Sequence, residues 1–246
     1  MSSSADIPGM LKGLKQNYRR LAEETNRLSF SSPVSHVYNP LLYARTPFEE
    51  YLSFCRPGVD FLLVGMNPGP WGMVQTGVPF GDADMVRNWL QIKSVPLPPP
   101  AEHPARPVHG PRCPRSEVSG RRLWGWAQRD FGTPEEFFSR FFVGNYCPLA
   151  FLEQSGRNRT PDRLKAEEKK RLFNVCDRSL ARAVELIRPG VVLGIGRFAE
   201  SRVKIACRGN GVKTGGMPHP SPASPRANQG WLELARQSIR EYENPL

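Results

Sequence analysis

The chain has 246 residues, of which 39% are hydrophobic, and it carries a formal net charge of +11. That length supports one sizeable core, so a single domain is the default. The charge, with a pI near 9.8, is too high for an ordinary enzyme of small neutral substrates and favours a polyanionic partner, nucleic acid foremost.

In chain order, Leu11, Leu14, Tyr18, Leu21 and Leu28 recur at helical spacing behind Asp6 and Pro8, which suit a helix start. A second helix is predicted around "TPFEEYLSFC", with Thr46 as cap and Pro47 in the first turn. The apolar run "DFLLVG" predicts a buried strand over 60–65. Residues 96–114, "PLPPPAEHPARPVHGPRCP", exclude a helix or an internal strand, because each proline removes a backbone donor. A long ordered surface loop is the reading. "FFVGNYCPL" predicts a second buried strand that ends at Pro148. A cap signal at Thr160-Pro161 leads to a helix with Leu172, Val175, Cys176, Leu180, Ala183 and Ile187 on its apolar face, stopped by Pro189-Gly190. "VVLGIG" is a third buried strand and "RFAESRVKIAC" a helix. A weak strand then leads to Met217, and a last helix runs to about Tyr242.

Strands alternating with helices imply a mainly parallel sheet covered on both faces. In such sheets a ligand sits beyond the carboxyl ends of the strands. Asn67, Asn145 and the Gly196 turn all fall at such ends. Each candidate also has an ordinary structural alternative. Asn67 suits a turn before Pro68, Phe80 a core ring, Asn145 a strand-end cap, and His219 a rigid turn between two prolines.

No apolar run approaches the ~20 residues of a membrane-spanning helix. "MSSSADIPGM" lacks the regions of a secretory signal, so an intracellular protein is expected. The five cysteines, Cys55, Cys113, Cys147, Cys176 and Cys207, are odd in number and form no CxxC clip. Reduced thiols are expected, and neither they nor the four scattered histidines point to a metal site. No metal and no cofactor is expected.

"GMNPGPWGMVQTGVPFG" together with "HPSPASPRANQGW" strongly resembles the two signature motifs of the single-strand-selective monofunctional uracil-DNA glycosylase family, part of the uracil-DNA glycosylase superfamily. "RPVHGPRCPRSEVSG", "NYCPLAFL", "SGRNRTP" and "GIGRFAE" extend the likeness over roughly residues 35 to 235. A bare GxNPG is shared with mismatch-specific relatives; the continuation "QTGVPFG" makes the signal specific. The resemblance implies an α/β fold, a three-layer α/β/α sandwich with a short central, mostly parallel sheet. Residues 35–243 then form one catalytic domain, and 1–34 an N-terminal helical extension, partly flexible. It also implies a monofunctional enzyme that flips uracil and oxidised 5-substituted uracils, such as 5-hydroxymethyluracil, out of single- and double-stranded DNA. Hydrolysis of the glycosidic bond would leave an abasic site and initiate base-excision repair. The family match makes Asn67 the residue that positions water and Phe80 the platform under the base. Asn145 reads the pairing edge, His219 faces O2, and backbone at Gly65 and Met66 borders the base. Residues Pro220, Ser221, Pro222, Ala223, Ser224, Pro225 and Arg226 would enter the DNA. Family members often carry a basic residue where this chain has Ala223, so Arg226 is either the replacement contact or a solvated helix-start residue. Arg197, Arg202 and Lys213 are further candidate phosphate contacts. Nuclear residence is the expectation that goes with the family, and a monomer is the default because no heptad pattern continues beyond the N-terminal helix.

The chemistry fits the residue types. Glycosidic cleavage leaves an oxocarbenium-like sugar and a uracil anion, which a neutral histidine donor at O2 would stabilise. An asparagine amide has no proton-accepting state near neutral pH, so Asn67 orients water rather than activating it. Asn145 would offer its carbonyl to uracil N3–H and its amino group to O4, and cytosine reverses both polarities. No lysine lies in either motif, so no lyase chemistry is expected. Two other readings stay open: a mismatch-specific glycosylase acting opposite guanine, and a nucleic-acid-binding module that kept the fold without catalysis.

Overall fold

The apolar runs around Leu63 and Leu193 become the middle strands of a sheet because both faces of each are buried throughout. Fully buried strands of this kind read as continuous rather than alternating apolar runs. The computed structural model describes residues 6–243. It contains β1 (Val34–Tyr38), β2 (Phe61–Gly65), β3 (Phe141–Asn145), β4 (Ala150–Glu153), β5 (Asn158–Arg159), β6 (Val191–Ile195) and β7 (Lys213–Met217). The central sheet runs β3-β2-β6-β7, with every neighbouring pair parallel. Helices flank it in two groups. The helix Ile7–Asn26 packs on Ala166–Ile187, which packs in turn on Arg197–Ala206. The helix Val118–Phe131 packs on Pro134–Arg140 and on Trp231–Glu243. The result is the three-layer α/β/α arrangement.

The helix Ile7–Asn26 starts where Asp6 accepts a hydrogen bond from the Gly9 N–H. Its Met10, Leu14, Leu21 and Ala22 are buried in the same core as the sheet. The expected partial flexibility of 1–34 is not tested by the structure, and residues 1–5 lie outside the described residues.

Three details differ from the sequence reading. The helix containing Thr46 spans Arg45–Leu52, with Ala44 rather than Thr46 at the cap position, because a short helix at Pro40–Tyr43 leads directly into it. Thr160-Pro161 opens only a 3₁₀ turn, Pro161–Arg163. The long helix begins at Ala166, where the Glu168 carboxylate accepts from the Lys165 N–H and also from Ser31. Finally, β1, β4 and β5 form a small antiparallel sheet in the order β1-β4-β5, which the sequence reading did not foresee.

The proline-rich residues 96–114 are a loop containing one 3₁₀ turn, Gly110–Arg112. Side chains replace the missing backbone donors. The Tyr38 hydroxyl accepts from the His103 N–H and donates to the Arg106 carbonyl, both at 2.7 Å. The buried Gln75 donates to the Pro107 carbonyl at 3.0 Å and accepts from the His109 N–H at 2.8 Å.

Candidate active site

The carboxyl ends of the parallel strands meet at one place. Gly65 at the end of β2 stands in register with Asn145 at the end of β3. Asn67 follows two residues later, and His219 lies two residues beyond the end of β7. Around them is a cavity of about 390 Å³, whose lining includes Met66, Asn67, Phe80, Glu117, Asn145 and His219. The geometry at Gly65 is tight enough that a side chain there would displace the site. A Cβ on Gly65 would sit 2.5 Å from Asn145 Oδ1 and 2.6 Å from the Phe80 ring. The ring and the amide therefore both close onto the strand end.

Each polar group is oriented by its neighbours. The Asn67 amide nitrogen donates to the Leu149 carbonyl at 3.1 Å, which leaves the acceptor oxygen for water. The Asn145 amide nitrogen donates to Met73 Sδ at 3.3 Å, a weak acceptor that takes one of its two hydrogens. His219 Nδ1 accepts the Ser221 N–H at 3.0 Å. That bond assigns the ring proton to Nε2 and makes the side chain a neutral donor on that side. Burial lowers the His219 pKa from its ordinary 6.5 to about 4. Phe80 holds a left-handed backbone, φ 54°, unusual for an aromatic residue. Its carbonyl is fixed by the Trp124 indole N–H at 3.1 Å. The helix Val118–Phe131 presses so closely here that a Cβ on Gly120 would lie 1.9 Å from the Phe80 oxygen.

Glu117 was not singled out from the sequence. It caps the helix Val118–Phe131, its Oε1 accepting from the Ser119 N–H at 3.1 Å. Its other oxygen packs on the turn after Asn67, 2.8 Å from where a Cβ on Gly69 would stand. Burial raises its carboxyl above the ordinary range, opposed by the Ser119 N–H. An acid before "VSG" reads in sequence as a solvated helix start; only the fold turns it inward. Among the described residues it is the single carboxyl in the cavity lining.

The model of the uracil DNA glycosylase superfamily matches residues 52–240. The single-strand selective monofunctional uracil-DNA glycosylase of Rattus norvegicus is 46% identical over 235 residues, covering 94% of this chain and 84% of that protein. The protein of the same name from Bos taurus is 46% identical and is covered to 86%. The chain belongs to the single-strand-selective monofunctional family of the uracil-DNA glycosylase superfamily. The crystal structure of Pedobacter heparinus SMUG2 shares the fold, with a TM-score of 0.62 at 18% identity over 92% of this chain and 97% of that one.

In this glycosylase-family chain, the residues after His219 form an exposed loop. Pro222, Ala223, Pro225 and Arg226 are exposed, Ser221 and Ser224 half-buried, and Pro220 buried. Arg122, another residue the sequence reading missed, clamps the loop by donating to the Pro220 carbonyl at 3.0 Å and to the Asn228 side chain at 2.9 Å. Asn228 closes the loop by donating to the Pro222 carbonyl at 2.8 Å. Ser224 caps the short helix Pro225–Asn228. Arg202, by contrast, is turned inward: it pairs with Asp177 and donates to the Tyr146 hydroxyl at 3.0 Å. It is therefore not a free phosphate contact. Arg197 and Lys213 are exposed. Among the described residues no group of three His, Cys, Asp or Glu side chains is placed to hold a metal ion, and no helix is long and apolar enough to cross a membrane. The five thiols are all unpaired.

Proposed function

We propose that this chain is a monofunctional DNA glycosylase that hydrolyses the bond between deoxyribose and uracil, or a 5-substituted uracil, in single- and double-stranded DNA and so initiates base-excision repair. The observation that carries this reading is His219: half-buried, neutral, with its Nδ1 taken by the Ser221 N–H, and lining the same cavity as Asn67, Phe80 and Asn145.

In this mechanism the flipped base lies on the Phe80 ring. Uracil N3–H donates to Asn145 Oδ1, and the second amide hydrogen donates to O4. With the amide nitrogen already engaged by Met73, cytosine meets like groups at both positions, at a cost of about 1–3 kcal/mol for each polar group left unpaired. The C1′–N1 bond breaks with its electrons leaving on uracil, and His219 opposes the charge that grows on O2. Water held at the Asn67 oxygen adds to the cationic C1′. Its proton needs an acceptor, which an amide cannot be. The Glu117 carboxylate is the one titratable acid in the lining, and we assign it that role. Because leaving-group stabilisation does most of the work, turnover is slow relative to relatives with a carboxylate at position 67. We take the protein to be nuclear, as a DNA-repair role requires, and monomeric, as the lack of a heptad pattern beyond the N-terminal helix suggests.

The test is base release from oligonucleotides carrying uracil, 5-hydroxymethyluracil, thymine or cytosine, single- and double-stranded. The first two are expected to be released and the last two retained. Thymine release comparable to that of uracil contradicts the pocket. No cleavage of single strands moves the chain to a mismatch-type activity.

A further inference from the structure

Trp71 lies between Pro70 and Gly72, both of which line the cavity. Two guanidinium groups sit against its ring, Arg106 with Cζ 5.0 Å and Arg115 with Cζ 4.9 Å from the centroid. The two charges are thus at most about 10 Å apart, close to a Debye length at physiological salt, and repel one another. Among the described residues, neither arginine makes an ion pair, whereas Arg121, Arg140, Arg159, Arg202 and Arg236 each hold a carboxylate. Arg106 also has a buried Nε with no hydrogen-bond partner.

The pair is built into the fold rather than draped over it. Gln75, fully buried, donates to the carbonyls of Pro70 and Pro107 at 3.0 Å each, stitching the Trp71 turn to the residue after Arg106. The Tyr38 hydroxyl fixes the Arg106 carbonyl. On the other side, Asp82 accepts from the Ser116 hydroxyl at 2.8 Å and the Glu117 N–H at 2.9 Å, which anchors the residues just after Arg115. Two planar cations, preorganised on an aromatic face and free of carboxylates, suit one kind of partner. Guanidinium forks match phosphate oxygens in pairs.

We propose that Arg106 and Arg115, held on Trp71, form a clamp for the DNA phosphate backbone beside the cavity, separate from the 220–226 loop. The proposal rests on the glycosylase reading for its biological sense, but its test does not. Binding of a uracil-free single strand and of a matching duplex is measured against salt for wild type, Arg106→Gln, Arg115→Gln and the double variant. Each substitution is expected to weaken binding about 3- to 10-fold near physiological salt. Each should also lower the slope of log K against log salt by about 0.7–0.9, the value for one lost phosphate contact. The Arg106→Lys/Arg115→Lys variant is expected to restore the slope, which a merely structural role would not do. Single-turnover base release at saturating DNA should stay at the wild-type rate in all of them. An unchanged slope in the double Gln variant overturns the clamp, as does a lost slope that the Lys variant fails to restore. Failure of the wild type to release uracil would instead overturn the reading of function and leave this result standing.

Discussion

The loop after β2 and the loop after β7 each carry one polar residue of the site, yet they are built by opposite means. Between Met73 and Pro79 every residue of the first loop is buried. Its polar side chains turn inward: Gln75 bonds to Pro70 and Pro107, and Thr76 donates to the Gly81 carbonyl at 3.1 Å. Even its backbone is used, the Val74 carbonyl accepting from the Tyr43 hydroxyl at 2.7 Å. The second loop is exposed over most of 222–226 and is held by the Arg122 clamp and its own Ser and Asn caps. A wall must keep its shape when a base arrives, so it is packed. A segment that is to enter DNA, the role proposed for this loop, must leave its outer face unspent, and it is fixed only from behind.

Removing the polar residue from either loop tests what they share and carries the largest effect. Asn67→Ala and His219→Leu are each expected to reduce single-turnover release of uracil by ~10²–10³, the usual cost of losing a preorganised polar group. Wild-type rates in either variant would sink the assigned mechanism.

The next variants separate wall from wedge. In Gly120→Ala the new methyl meets the Phe80 carbonyl, which is backbone and cannot swing away. We expect a loss of about 1–3 kcal/mol in unfolding free energy, typical of overpacking, together with slower base release as the ring is displaced. In Arg122→Ala the loop loses its clamp but the cavity wall is untouched. Weaker binding of duplex DNA by several-fold, with the saturated cleavage rate little changed, is expected for that variant. If the Arg122 variant instead loses cleavage at saturation, the second loop is part of the catalytic wall and the contrast between the loops fails.

The same contrast explains what can be read in the sequence. β2, β3 and β6 are legible because burial on both faces leaves an unbroken apolar run. β4 is not, because "AFLE" follows directly on Pro148, which reads as the end of the strand before it, and β1 alternates exposed and half-buried residues up to the buried Tyr38. Asn67 and Asn145 are legible as neighbours because one follows and the other ends a buried parallel strand. Glu117 and Arg122 are not: an acid and a basic residue at the start of a helix have the pattern of a solvated face. Their inward use depends on how closely that helix approaches Phe80 and Pro220, which no local pattern encodes. The unused cap at Thr46 fails for the related reason that the preceding helix removes the need for it.

pH offers the smallest but most discriminating effect, because the two titratable groups in the lining are shifted in opposite directions by the same cause. Burial disfavours charge on both, lowering His219 to about 4 and raising Glu117. His219 therefore remains a neutral donor well below its ordinary 6.5. For folding, the unfolded chain takes up the proton more readily, so the stability linked to this residue is full above about 6.5 and is lost as pH falls towards about 4. For catalysis, the acid limb of the wild-type rate should come from protonation of Glu117, at a pH above the usual carboxylate range. Glu117→Gln removes that limb along with the proton acceptor. The remaining, slower reaction should then be level with pH until His219 protonates near 4 and its contact with the Ser221 N–H is lost. A single-turnover profile of Glu117→Gln that instead falls as pH rises through about 6.5 would mean that the active histidine is a cation, and O2 would then be met by a full charge rather than by a neutral donor.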